Sequence, residues 1–177
     1  MRIYRIISEE YEIYPEKEGI HEVFDVLPQL AENELLKRGV MTDELLYCVK
    51  ADLDGEGGYV DVYITFTKDT LCILRGYEEY GKMKRGQKRK NLVSFTVSGY
   101  DEYPIDSIEE MYVDRYANSA RLMIKDKSGK EFPIARFSLG FADKFEKFSQ
   151  RVNCTAKNEP IDDRLLEGDK DPLPYLR

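Results

Sequence analysis

Few residues in this chain are of a type that does chemistry, and their spacing brings none of them together. The single histidine, His21, falls on the solvent side of a helical pattern, with no second metal ligand and no nucleophile to activate. The G-x-S-x-G, Walker A, G-x-G-x-x-G and H-E-x-x-H signatures are all missing. Asp52, Asp54 and Glu56 stand among glycines, but their order is wrong for a calcium loop. Glycine follows the second acid, and no glutamate closes the run where an EF-hand needs one. Turn chemistry accounts for them. Carboxylates abound, and nothing in their spacing selects a pair for acid–base hydrolysis. The three cysteines, Cys48, Cys72 and Cys154, are odd in number and widely spaced. They form neither a disulfide framework nor a zinc pattern, and they point to a reducing cytosol. Cys48 and Cys72 sit in apolar strand patterns, where a thiol packs as a small hydrophobe. No catalytic, cofactor-binding or metal-binding residue is assigned, and no cofactor is expected.

One polar feature rises above background. Lys82, Lys84, Arg85, Lys88, Arg89 and Lys90 crowd a short stretch of a chain whose net charge is −7. They lie beside Tyr77 and Tyr80. Such a cluster suits anionic lipid headgroups, where each basic residue contributes on the order of 1 kcal/mol. It equally suits RNA or an acidic protein surface, and a solvated loop balancing Glu78 and Glu79 explains it without any ligand. The acidic balance argues against nucleic acid as a partner, because phosphate contacts need a basic surface.

The elements that must position these residues are read from hydrophobic period. Residues 2–7 are β-prone. From 16 to 38 the apolar residues Ile20, Val23, Phe24, Leu27, Leu30 and Ala31 recur at helical spacing. Pro28 should break that helix near Val26 and Leu27, leaving a second short helix through Leu36 that stops at Gly39. The period then becomes two. Leu45, Tyr47, Val49, Ala51 and Leu53 mark a half-buried strand, residues 54–58 a turn, and Val60, Val62, Ile64 and Phe66 the buried face of the next strand. Lys68 and Asp69 break the pattern before a strand over 70–74. This is an antiparallel meander. Residues 76–91 lack apolar period and read as a long exposed loop.

Further strands are expected from Leu92 towards Tyr103, through Ile108, Met111 and Val113, over 120–126, and over 131–137. Ser138 is the expected N-cap of a closing helix that carries Phe141, Phe145, Phe148 and Val152 on its core face and ends near Asn153. The tail from Thr155 reads as an acidic linker. No apolar run approaches the ~18 residues that span a bilayer, and the N-terminus has no signal-peptide pattern. The chain reads as soluble.

Strands, a final hairpin and one amphipathic helix follow the plan of the pleckstrin-homology-like fold. The stretch Tyr63-Ile64-Thr65-Phe66-Thr67-Lys68-Asp69-Thr70-Leu71-Cys72-Ile73-Leu74 resembles the strand–turn–strand of GRAM and bacterial PH-like domains. Tyr103-Pro104-Ile105-Asp106-Ser107-Ile108 is similar to a later strand of that family. A narrower resemblance is to the N-terminal cytosolic extension of ABC exporters from Gram-positive anaerobes. It is carried by Tyr4-Arg5-Ile6-Ile7-Ser8-Glu9-Glu10-Tyr11, by Glu22-Val23-Phe24-Asp25, by Glu44-Leu45-Leu46-Tyr47-Cys48, and by the two stretches above.

The resemblance implies an α+β chain: a PH-like antiparallel barrel or sandwich of about seven strands, closed by a C-terminal amphipathic helix. Residues 1–41 would be an N-terminal strand and helical segment packed on the core, 42–153 the PH-like domain, and 154–177 the acidic linker or tail. The role it implies is non-catalytic, a regulatory or interaction domain of an ABC transporter in the cytoplasm, at the inner face of the cell membrane. Its partners would be the rest of the transporter or another protein, with an anionic membrane surface met by the basic cluster. ATP binding would belong to parts of the parent protein outside these residues. The alternative is a freestanding PH-like module that binds a protein or a membrane surface.

Overall fold

The computed structural model describes the short strands β1 (Ile6–Ile7) and β2 (Glu12–Ile13), then residues 24–87 and 90–161. Helix α1 (Gln29–Lys37) begins directly after Pro28, whose fixed φ suits the approach to a helix and cannot continue one. It ends as expected at Gly39, which takes φ +84° while its N–H bonds to the Leu36 carbonyl. Residues 24–28 are not helical, which corrects the expectation up to the proline. Ile20, His21 and Val23 lie outside the described residues.

Seven antiparallel strands follow. They are β3 (Tyr47–Asp54), β4 (Tyr59–Phe66), β5 (Thr70–Tyr80), β6 (Leu92–Pro104), β7 (Ile108–Arg115), β8 (Ser119–Asp126) and β9 (Glu131–Ser138). Their order across the sheet is β6-β5-β4-β3-β9-β8-β7. Two meanders are therefore joined where β3 meets β9, through Leu53 opposite Arg136 and Asp54 opposite Ala135. The chain is α+β in the PH-like arrangement, and the sheet stays an open sandwich, with β6 and β7 as its two edges.

Turn residues explain the tight connections. Asp54 Oδ1 accepts from the Glu56 and Gly58 amides, so the acids that superficially suggest a calcium loop do turn work. Thr67 Oγ1 accepts from Asp69 and Thr70 in the same way at the β4–β5 turn.

Register sets the inner face. Tyr47 lies opposite Phe66, Val49 opposite Ile64 and Phe66 opposite Leu71. These residues, with Val62, Ile73, Leu122 and Ile124, are buried. The opposite face of the first meander is covered in part, so Cys48, Thr65 and Cys72 are buried, while β3 keeps its expected half-buried character beyond Cys48, with Lys50 half-buried and Asp52 exposed. Helix α1 packs there against β6, with Arg38 stacked 5.4 Å from the Tyr100 ring. Burial pushes the Cys72 thiol up to about 11.

Helix α2 (Ala142–Ala156) closes the inner face. Phe145 stacks on Phe137 of β9 at 3.8 Å, and Phe148 meets Phe66 edge-on at 5.4 Å and Phe24 at 6.4 Å. The helix starts later than expected, because Leu139–Phe141 forms a short 3-10 turn, and the Ser138 side chain makes no cap. Phe141 is accordingly thrown outward and half exposed, a correction to the proposed core stripe. Its end is also later, at Ala156 rather than near Asn153, and the tail beyond 161 lies outside the described residues.

Two polar contacts lock the layers. Asp25 Oδ2 accepts from the Lys50 amide and from Lys144 Nζ, each at 2.7 Å, tying the N-terminal segment to β3 and α2. Asn153 of α2 grips the β7 edge: its Oδ1 accepts from the Met111 amide at 2.7 Å, and its Nδ2 donates to the Met111 carbonyl at 2.9 Å.

Candidate functional site

Strand β5 does not stop at Gly76. It continues through Tyr77, Glu78, Glu79 and Tyr80, paired with β6 from Val97 back to Leu92. The exposed loop expected over 76–91 thus holds the outer end of β5, and its described residues outside the ladder are 81–87, 90 and 91. A glycine is required at position 76, since an added Cβ would stand 2.5 Å from the Thr96 carbonyl oxygen. The bulges beside it and near Tyr80 twist the hairpin's outer half.

The tip is ordered by its own backbone. Gly81 N–H bonds to the Asn91 carbonyl, Gln87 N–H to the Lys84 carbonyl, and Gln87 Oε1 accepts from the Lys84 amide at 2.6 Å. Gly86 supplies the positive φ of that turn. Lys82, Lys84, Arg85 and Lys90 are exposed, as the cluster reading requires. Lys88 and Arg89 lie outside the described residues. Among the described residues these four cations form no salt bridge. Exposed Met83, Val93, Tyr77 and Tyr80 lie beside them, each with about half its surface in water. Apolar and cationic surface are combined at one end of the molecule.

Neither Glu78 nor Glu79 forms a salt bridge with the described cations of the tip. Glu79 accepts from Ser94 Oγ, and Glu78 turns inward, where its side chain is 2% exposed. There Glu78 Oε1 lies 2.5 Å from Lys50 Nζ of β3, and its Oε2 accepts from the Tyr63 and Tyr80 hydroxyls at 3.1 and 2.7 Å. Asp61 of β4 stands 3.4 Å from the same ammonium, and its other oxygen accepts from the Glu78 amide.

The network sets its own protonation. Burial pulls Lys50 down, but the hydrogen bond and charge of Glu78, then the charge of Asp61, outweigh it and hold the ammonium above its ordinary value. Burial first, and then the Glu78 carboxylate, push the Tyr63 phenol well up; burial and the bond to Glu78 do the same for Tyr80. Lys50 therefore stays charged and Tyr63 and Tyr80 stay neutral near neutrality, and the arrangement is a brace that aims the hairpin. Lys50, Asp61 and Glu78 carry no signal in the sequence, because a charged residue in a strand usually faces water.

No other concentration of reactive groups appears among the described residues, and no three of His, Cys, Asp and Glu converge to hold a metal ion there. A shallow groove of about 380 Å³ runs between Leu46, Lys68 and Asp69 and the end of α2 at Thr155, Asn158 and Glu159. Among the described residues no helix is long and apolar enough to cross a membrane. Compared with known proteins, the chain matches no protein-family model, no curated protein and no solved structure.

Proposed function

We propose that this chain is a non-catalytic PH-like interaction module that docks the tip of its β5–β6 hairpin on an anionic surface at the inner face of the cell membrane. The observation that carries the reading is the tip itself: four exposed cations that form no salt bridge among the described residues, set beside exposed Met83 and Val93, in an acidic chain. Each cation contributes on the order of 1 kcal/mol at an anionic bilayer surface, and side chains such as Met83 add apolar contact at the headgroup boundary. The buried Glu78 brace supports it, because it removes one carboxylate from the approach surface and stiffens the hairpin's base.

The resemblance to exporter extensions supplies the parent: the module is the cytosolic N-terminal part of an ABC transporter and passes membrane or partner contact to the remainder. Reading the gene past Arg177 tests the parent. Hydrophobic spans followed by a nucleotide-binding segment support it, and a stop codon leaves a freestanding module.

Flotation with vesicles tests the docking. Wild type should float with vesicles containing phosphatidylserine and not with purely zwitterionic ones. Reversal of Lys82, Lys84, Arg85 and Lys90 to glutamate should abolish it. Equal flotation of both proteins retires the tip as the contact.

A further inference from the structure

Charges on the outer face of β7–β9 are paired across the strands with one exception. Glu110 stands opposite Lys125, and Lys125 opposite Glu131, so that cation faces an acid on both sides. Two rows along, Asp114 stands opposite Arg121, and Arg121 opposite Arg136. On its other side Arg136 faces Leu53 of β3, so no acid flanks it. Arg121 and Arg136 are the one like-charge pair in the described ladders, in a chain whose net charge is −7. Residues directly opposite have Cβ atoms about 5 Å apart, close enough for two guanidinium groups to repel.

Neutralisation from within is incomplete. One Arg121 Nη lies 3.4 Å from Asp114 Oδ2, but that oxygen also accepts from the Tyr116 hydroxyl at 2.9 Å. The Arg121 guanidinium stacks 4.8 Å from the Tyr116 ring. Arg136 makes no hydrogen bond or ion pair among the described residues. The Nε of each arginine is sealed from water with no acceptor there, at a desolvation cost. The β3–β4 turn does not supply the balance. Asp54 Oδ1 accepts from the Glu56 and Gly58 amides, Asp52 lies 3.7 Å from Lys50 Nζ, and Glu56 forms no ion pair with a described residue. Gly57 of that turn, at φ +86°, sets its backbone against the Arg136 guanidinium: an added Cβ would stand 3.1 Å from Nη1. The site still opens to water, since the Arg121 side chain is 28% exposed and Arg136 is partly exposed.

We infer that Arg121 and Arg136 form a binding site for a phosphate group, free or as the monoester of a small molecule. The donor chemistry selects this ligand. Each guanidinium presents a planar fork of N–H groups that matches carboxylate or phosphate oxygens. A carboxylate is used up by one fork. A phosphate near neutral pH carries close to two negative charges and three oxygens to divide between two forks. The site lies on the sheet face, apart from the hairpin tip, and does not depend on the docking proposed above.

Arginine side-chain NMR reads the pair directly, because Nε–H groups sealed from water exchange slowly enough to be seen. The full chain is titrated with inorganic phosphate and, separately, with glycerol phosphate, to about 20 mM near neutral pH at constant ionic strength. The Arg121 and Arg136 signals should shift together and saturably, with a dissociation constant of about 1 mM. Acetate should bind at least about tenfold more weakly. Arg121→Gln and Arg136→Gln should each weaken phosphate binding about tenfold or more, with the rest of the amide spectrum unchanged. Reversal of Lys82, Lys84, Arg85 and Lys90 to glutamate should leave both arginine signals responding saturably, which separates this site from the tip. Saturation by both probes assigns the site to the phosphate group itself; saturation by one alone assigns it to the free ion or to the monoester. Shifts that grow linearly with both probes overturn the proposal. So do acetate binding as tight as phosphate, an affinity that both substitutions leave unchanged, or an arginine response lost on reversal of the tip.

Discussion

Strands β3–β5 end in two unlike ways. Beside α2, the inner face is filled by Tyr47, Phe66, Phe148 and Phe24, rings 5.0–6.4 Å apart in successive contacts. At the hairpin end, Lys50, Asp61, Tyr63, Glu78 and Tyr80 occupy the opposite face. The aromatic end gains stability atom by atom, and a lost ring costs what its cavity costs. At the polar end the terms are cooperative, because removing one partner leaves a buried charge uncompensated. A packed aromatic layer therefore holds the fold, and a polar brace fixes where the hairpin points.

The largest expected effect breaks the aromatic end. Phe148→Ala should cost about 3–5 kcal/mol in urea unfolding, the range for a fully buried ring, and should leave the hairpin's own packing intact. Next, Lys50→Met should cost about 3 kcal/mol by stranding Glu78. Adding Glu78→Gln in the same chain should recover part of that loss; a double variant weaker than the sum of the singles would refute the cooperative brace.

Alkaline titration separates the two ends. Lys50 is held above 10.5, and Tyr63 and Tyr80 above 10.0, so all three have folded values raised over their unfolded ones. Their contribution is complete below about pH 10 and is lost as pH climbs from the unfolded values towards the folded ones. The melting temperature should fall above pH 10, and less steeply in the Lys50→Met, Tyr63→Phe double variant. Asn153→Ala should cost about 1–2 kcal/mol, for two buried-edge bonds to Met111. The smallest effect belongs to Phe141→Ser, within about 0.5 kcal/mol, because that ring is half exposed.

The aromatic end was legible in sequence and the polar end was not. Alternation in β3 and β4 and the Phe145–Phe148–Val152 spacing report burial through residue type, the signal that period detects. Phe141 shares the spacing and fails only because the first turn is 3-10, which rotates it off the stripe. Glu78 inverts the usual rule. Its burial depends on Lys50, a partner from a strand two positions away in the sheet, and local composition around Gly76 and Glu79 reads as loop. The basic tip was legible because charge density is a local property, whereas the stiff strand pair that carries it depends on long-range register. Cys48, on the side of β3 that alternation assigns to water, is buried for the same reason, since the cover over that face comes from distant parts of the chain.

The grip of Asn153 on Met111 has a consequence for the order of assembly. The Met111 amide belongs to an edge strand, yet its acceptor arrives on a helix 42 residues later. Until α2 docks, that amide is open to solvent, however complete the β7–β8 ladder may be. In deuterium exchange it would act as a clock for the last step of folding, protected in step with the helix and not with the strand that carries it.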